Sequence, residues 1–147
     1  MNKQQIGFFS SLIIILIVVI LLITGSPILT VPLYKGSSIP LGTFITWSGL
    51  VSLPLCIFWG INNLRNPKND FNKYLGLTLK VLLLTALLWV PISYLLAGNL
   101  SFSFTEKDTF QGGQLAMTWF WRISYATAIG PILLLIIYWI SLLSKKE

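Results

Sequence analysis

The chain contains no histidine. That removes the commonest general base, the commonest metal ligand and the usual haem ligand together. It has a single cysteine, Cys56. An intrachain disulfide and a thiolate metal cluster are therefore both excluded. Charge is scarce as well. Charged residues make up 10% of the 147, whereas soluble domains carry about 25%. The net charge of +6 comes from ten basic and four acidic residues. The basic residues are scattered, with no run longer than Lys145-Lys146. No basic groove can be built from them, and nucleic acid is not an expected partner.

What remains is strongly apolar, with 55% hydrophobic residues. The apolar residues gather into four segments, and the charges sit at their flanks. The predicted fold is an all-α integral membrane protein. Residues 1–147 form one domain of four transmembrane helices, at about 6–24, 41–61, 74–97 and 119–143. Each is long enough for about 30 Å of hydrocarbon. The first has an apolar core longer than the roughly 7–15 residues of a signal peptide. Its one small cluster, Thr24-Gly25-Ser26, is followed by Pro27. It therefore reads as a retained helix. Prolines within the later segments predict kinks: Pro54 in the second, Pro91 in the third and Gly130-Pro131 in the fourth.

The connectors have their own signals. Pro27, Pro32 and Pro40 break any helix between the first two spans. Thr30-Val31 and Leu33-Tyr34 around the turn Lys35-Gly36-Ser37-Ser38 predict a short, weakly paired hairpin. Asn66-Pro67 marks a turn in the second connector. In the third, Leu100, Phe102 and Phe104 alternate with serines as an extended segment would. Asn99-Leu100-Ser101 matches a glycosylation acceptor, a pattern frequent by chance. Gln111-Gly112-Gly113-Gln114 lacks the lysine and strand of a phosphate loop and reads as a flexible helix entry.

Lysine and arginine in short loops set orientation. Lys3, Arg65, Lys68, Lys73, Lys145 and Lys146 fall on one side of a four-span topology. Lys35 and Lys107 fall on the other, with Arg122 near it. Both termini are expected on the cytoplasmic or stromal side. Trp59, Tyr138 and Trp139 near that boundary, and Trp119 and Trp121 near the opposite one, suit interfacial belts.

The second helix carries a narrow stripe of small residues, Gly42, Thr46, Gly49, Ser52, Cys56 and Gly60. Their steps of 4, 3, 3, 4 and 4 average the helical repeat of about 3.6. Bulky Phe44, Trp47, Val51, Leu55 and Phe58 lie elsewhere on the helix. Such a face lets a second backbone come close. Ala126 and Gly130, with Ser124 and Ala128 beside them, form a second small face on the fourth helix. The facing backbone is either that helix or a helix of another protein. Cys56 reads as a small space-filler.

Two cations fall inside predicted spans, Lys80 and Arg122. An intramembrane charge is a functional candidate, since burying it unpaired costs several kcal/mol. Snorkelling is the plainer reading for both. A lipid phosphate or an anion on a partner would be the counter-charge, because no carboxylate lies within a span. Glu106 and Asp108 flank Lys107 without a third ligand, and read as a solvated loop rather than a cation or acid–base site.

The residues Ser26-Pro27-Ile28-Leu29-Thr30-Val31, followed by Ser38-Ile39-Pro40-Leu41-Gly42, lie between two apolar helices. This stretch, about residues 8–64, resembles the lipopolysaccharide assembly protein A (LapA) type of domain. In that family a first helix leads through a strand-like connector to a Pro-Leu-Gly entry into a second helix. The chain departs from it in lacking Gln-Asn before the connector and in adding two helices. The resemblance implies a bacterial-type inner-membrane protein and carries no catalytic residue.

The expected role is non-enzymatic, with no cofactor and no metal. The chain reads as a small accessory or assembly subunit that packs against a larger membrane complex: respiratory, photosynthetic or envelope-building. Membrane lipids are its other partners, in a bacterial cytoplasmic membrane or a thylakoid. A small oligomeric transporter or channel is the alternative. A lipid-modifying membrane enzyme would need clustered acids, histidines or cysteines that the sequence does not offer.

Overall fold

A computed structural model describes residues 2–37, 39–98, 100 and 112–143. The Glu106/Asp108 pair, Phe102 and Phe104, most of the Asn99-Leu100-Ser101 acceptor and the tail lysines lie outside these residues. The described chain is helical: α1 (Lys3–Ile23), α2 (Leu41–Gly60), the single turn α3 (Asn62–Arg65), α4 (Asp70–Leu87), α5 (Trp89–Ala97) and α6 (Gly113–Leu143). Three helices, α1, α2 and α6, are long and apolar enough to cross a membrane, and the bent pair α4 and α5 makes a fourth if it is one span.

Local chemistry explains where the helices begin and end. The Asn2 N–H donates to Gln5 Oε1 at 3.1 Å, one half of a capping box that starts α1 three residues before the apolar run. Asn69 caps α4 by accepting the Asn72 N–H at 2.8 Å, and Asp70 occupies the first turn. The acid there complements the positive end of the helix dipole. These polar caps extend the third helix four residues before Tyr74. Gly98, at φ 77°, closes α5 in the left-handed conformation that glycine adopts without strain. α6 likewise starts at Gly113 rather than near Trp119.

The prolines act unequally. α2 and α6 continue through Pro54 and Pro131 as single helices. The segment expected as the third span instead breaks at Leu88, and α5 turns 54° from α4. Pro91 lies three residues beyond the break. It has no N–H for the Leu87 carbonyl, and its ring crowds that oxygen.

The first connector starts as a 3-10 turn, Pro27–Thr30, so Thr30 is not extended. It then closes as the hairpin its prolines allow. Pro32 and Pro40 form one antiparallel bridge, with Leu33 N–H donating to Ile39 O at 2.9 Å and Leu41 N–H to Val31 O at 2.8 Å.

Successive long helices run antiparallel. Val18 meets Gly49, Phe8 meets Gly60 and Trp59 meets Gly7 along α1 and α2. α4 and α6 pack together, and both also touch α2. A buried cluster of Ile57, Leu64, Leu79, Leu134 and Tyr138 joins α2, α3, α4 and α6 at one end. α1 stands to the side, packed chiefly on α2, with only Ser11 and Val18 buried.

Candidate functional site

The small stripe of α2 accommodates α1. A β-carbon at Gly49 would sit 2.7 Å from Val18 Cγ1, and one at Gly60 would sit 3.0 Å from the Phe8 ring. Spacings near 3 Å leave no room for a methyl group, so the two backbones approach because these positions are bare. Ser52 and Gly42 are buried on the same helix, and Cys56 is half-buried and free. Thr46 is half-buried, and its hydroxyl is buried without a hydrogen-bond partner among the described residues.

The second small face divides between two environments. Gly130 packs on α4, where an added β-carbon would lie 2.9 Å from Leu82 Cδ2. Ala126 is exposed on the perimeter. The helix that faces the α2 stripe at Gly49 and Gly60 is thus α1, not helix four.

Other close approaches belong to residues the sequence reading passed over. Gly7 and Ser11, four apart on α1, form a small pair there. A β-carbon at Gly7 would lie 2.9 Å from the Trp59 indole, and Ser11 is buried. Their spacing was visible but sat inside a uniformly apolar run. Gly76 of α4 is buried against the backbone carbonyl of Leu64, where any side chain would collide.

The interior polar groups tie helix to helix. Trp47 Nε1–H on α2 donates to Ala86 O on α4 at 2.9 Å. Trp89 Nε1–H on α5 donates to Ser124 Oγ on α6 at 3.0 Å. Asn63 Nδ2–H on α3 donates to Tyr138 Oη on α6 at 3.1 Å. Two of these bonds bracket the break at Leu88. An open helix break exposes backbone carbonyls, and here the indole of Trp47 satisfies one of them. Thr127 donates within its own helix, to Ile123 O at 2.7 Å. Tyr138 belongs to this buried network, with 6% of its surface exposed. It is a core residue, whereas its neighbour Trp139 faces outward.

The cations lie on the outside. Arg122 is exposed and stacks over the Trp119 ring, 5.4 Å from its centroid. Arg65 lies 5.8 Å from the Trp59 ring centroid and donates to Asn62 Oδ1 at 2.9 Å. Lys80 is exposed on α4, beside Leu77, Val81 and Leu84, which are each more than half exposed. It has no hydrogen bond or ion pair among the described residues. At the end of the bundle near Arg65, a surface depression of about 320 Å³ is lined by Gln4, Gln5, Phe8, Phe9, Trp59 and Gly60. No group of three or more potential metal-ligating side chains occurs among the described residues.

Compared with known proteins, the chain matches no family model, no curated protein and no solved structure.

Proposed function

We propose that the chain is a four-span membrane protein with both termini cytoplasmic or stromal, serving as a non-enzymatic accessory or assembly subunit of a larger membrane complex. The carrying observation is the way the break in the third span is closed. Trp47 donates to Ala86 O below the break, and Trp89 donates to Ser124 above it. The polar groups that a transporter would turn toward a substrate are used to hold helices together. That favours a fixed body whose contacts lie on its perimeter. Orientation draws support from Lys3, Arg65, Lys68 and Lys73, which lie at one end of the antiparallel bundle. The likeness to the LapA type of domain points toward an envelope-building complex.

A small oligomeric transporter is the second reading. One observation favours it: α4 and α5 form a discontinuous helix bent by 54°, a feature of many transporter sites. The two readings separate on purification from native membranes in mild detergent, with quantification of co-purifying proteins by peptide mass spectrometry. A subunit brings larger membrane proteins in fixed ratio. A transporter comes as the chain alone and passes solute when reconstituted in vesicles.

A further inference from the structure

Lys80 lies deep along the bundle axis. Trp47 is beside Ala86, and six residues along each antiparallel helix bring Leu53 level with Lys80. Gly130 is beside Leu82, which puts Lys80 level with Ile132. Gly49 is beside Val18, which puts Leu53 level with Ile14. Leu53, Ile132 and Ile14 each lie within about 4 Å of the midpoint of their apolar segments, at 1.5 Å per residue.

The length of the third span gives the same answer. α4 has 18 residues, about 27 Å, and the 9 residues of α5 add only about 8 Å along the axis after the 54° turn. Residues 81–97 alone would cover about 18 Å, short of the roughly 30 Å hydrocarbon core. Most of α4 must therefore be inside the bilayer, and Lys80 with it. Its Cα is about 12 Å below the inner headgroups, beyond the ~6 Å reach of a lysine stem in an undeformed bilayer.

Among the described residues, a second copy of the chain oriented alike supplies no counter-charge at this level. The acid in α4 is Asp70, ten residues or about 15 Å from Lys80 along the same helix. In a side-by-side dimer with both chains oriented alike, Asp70 of each copy would lie near the surface and not at the level of Lys80.

We propose that the outer face of α4, formed by Leu77, Lys80, Val81 and Leu84, docks a transmembrane helix of a different protein that carries an Asp or Glu near mid-membrane. The proposal rests on the accessory-subunit reading. The partner's carboxylate and the Lys80 ammonium neutralise one another, and the flanking Leu77, Val81 and Leu84 exclude lipid and water around the pair. Breaking such a pair on one side leaves the other charge buried alone, which is strongly unfavourable.

The experiment compares the full-length wild-type chain with Lys80→Met, Lys80→Glu and Lys80→Arg in the membranes of the cells that make it. Mild-detergent extracts are resolved on native gels. A photoreactive phenylalanine analogue at Val81 then traps the neighbour, and the adduct is mapped by mass spectrometry. Lys80→Met and Lys80→Glu should lower the complexed fraction roughly a hundredfold or more, while Lys80→Arg keeps it. The adduct should map to a transmembrane peptide containing an acid, and exchanging that acid for lysine should restore assembly of Lys80→Glu. The isolated Lys80→Met chain should unfold at the wild-type temperature, because the side chain has no partner among the described residues. A lower unfolding temperature would overturn the proposal, as would an adduct with lipid, with a second copy or with a peptide lacking an acid. If wild type assembles and Lys80→Met assembles equally, the docking proposal alone fails. If wild type runs as a lone chain, the accessory-subunit reading fails first and the proposal falls with it.

Discussion

The indole N–H of Trp47 on α2 reaches the carbonyl oxygen of Ala86 on α4, 2.9 Å away, two residues before the chain breaks at Leu88. Pro91 causes the break, and Trp47 fills one of the hydrogen-bonding positions it opens. A side chain on one helix thus latches the defect of another, and the bend becomes a fixed part of the bundle.

Removing the latch should destabilise the protein. Trp47→Phe keeps most of the aromatic volume but removes the indole donor from the Ala86 carbonyl, at about 1–2 kcal/mol. Thermal unfolding in detergent reads the loss. In a Pro91→Ala background the helix can regain its own donors, so Trp47→Phe should cost less there. Equal losses in the two backgrounds would separate the indole from the break.

The packing of α1 gives a compensating pair. Gly49→Ala places a methyl group against Val18, 2.7 Å from Cγ1, and should cost about 1–3 kcal/mol as overpacking. Val18→Ala should recover much of it. Gly60→Leu should displace α1 through Phe8, whereas Phe44→Leu should be tolerated. Unfolding temperatures of the four variants and the Gly49→Ala/Val18→Ala pair decide this. No recovery in the pair would mean that α1 is not seated on Gly49.

Tyr138→Phe leaves one Asn63 donor without the acceptor it has at 3.1 Å. The expected cost is about 1 kcal/mol. Asn63→Leu together with Tyr138→Phe should cost less than the sum of the two single changes. Additive losses by thermal unfolding would show that the pair does not interact.

Orientation is tested by labelling single cysteines in a Cys56→Ala background. Cysteines replacing Lys3 and Lys68 should resist a membrane-impermeant maleimide on intact cells. One replacing Lys35 should react. The reverse pattern would invert the topology.

Much of this was legible in the sequence. The apolar segments located the long helices, and two glycines of the α2 stripe, Gly49 and Gly60, lie against Val18 and Phe8 of α1. The identity of the approaching helix was not legible, because Gly7 and Ser11 lie in a run so apolar that no face stands out. The break at Leu88 was expected as a kink at Pro91. Pro54 and Pro131 looked equivalent to it, and sequence alone does not reveal that a tryptophan from another helix stands ready at one of the three. The depth of Lys80 was largely legible, since six residues into the expected third helix place it about 9 Å from the inner end; the start of α4 at Asp70 and the 54° bend refine that depth.

The measurement closest to the central claim is the native mass of the chain, extracted with its surrounding lipids into polymer discs without detergent. A subunit role predicts that the 16.5 kDa chain is found in an assembly whose mass is accounted for by larger membrane proteins in fixed ratio. A lone monomer, or an assembly at a whole multiple of the chain's own mass, would contradict it.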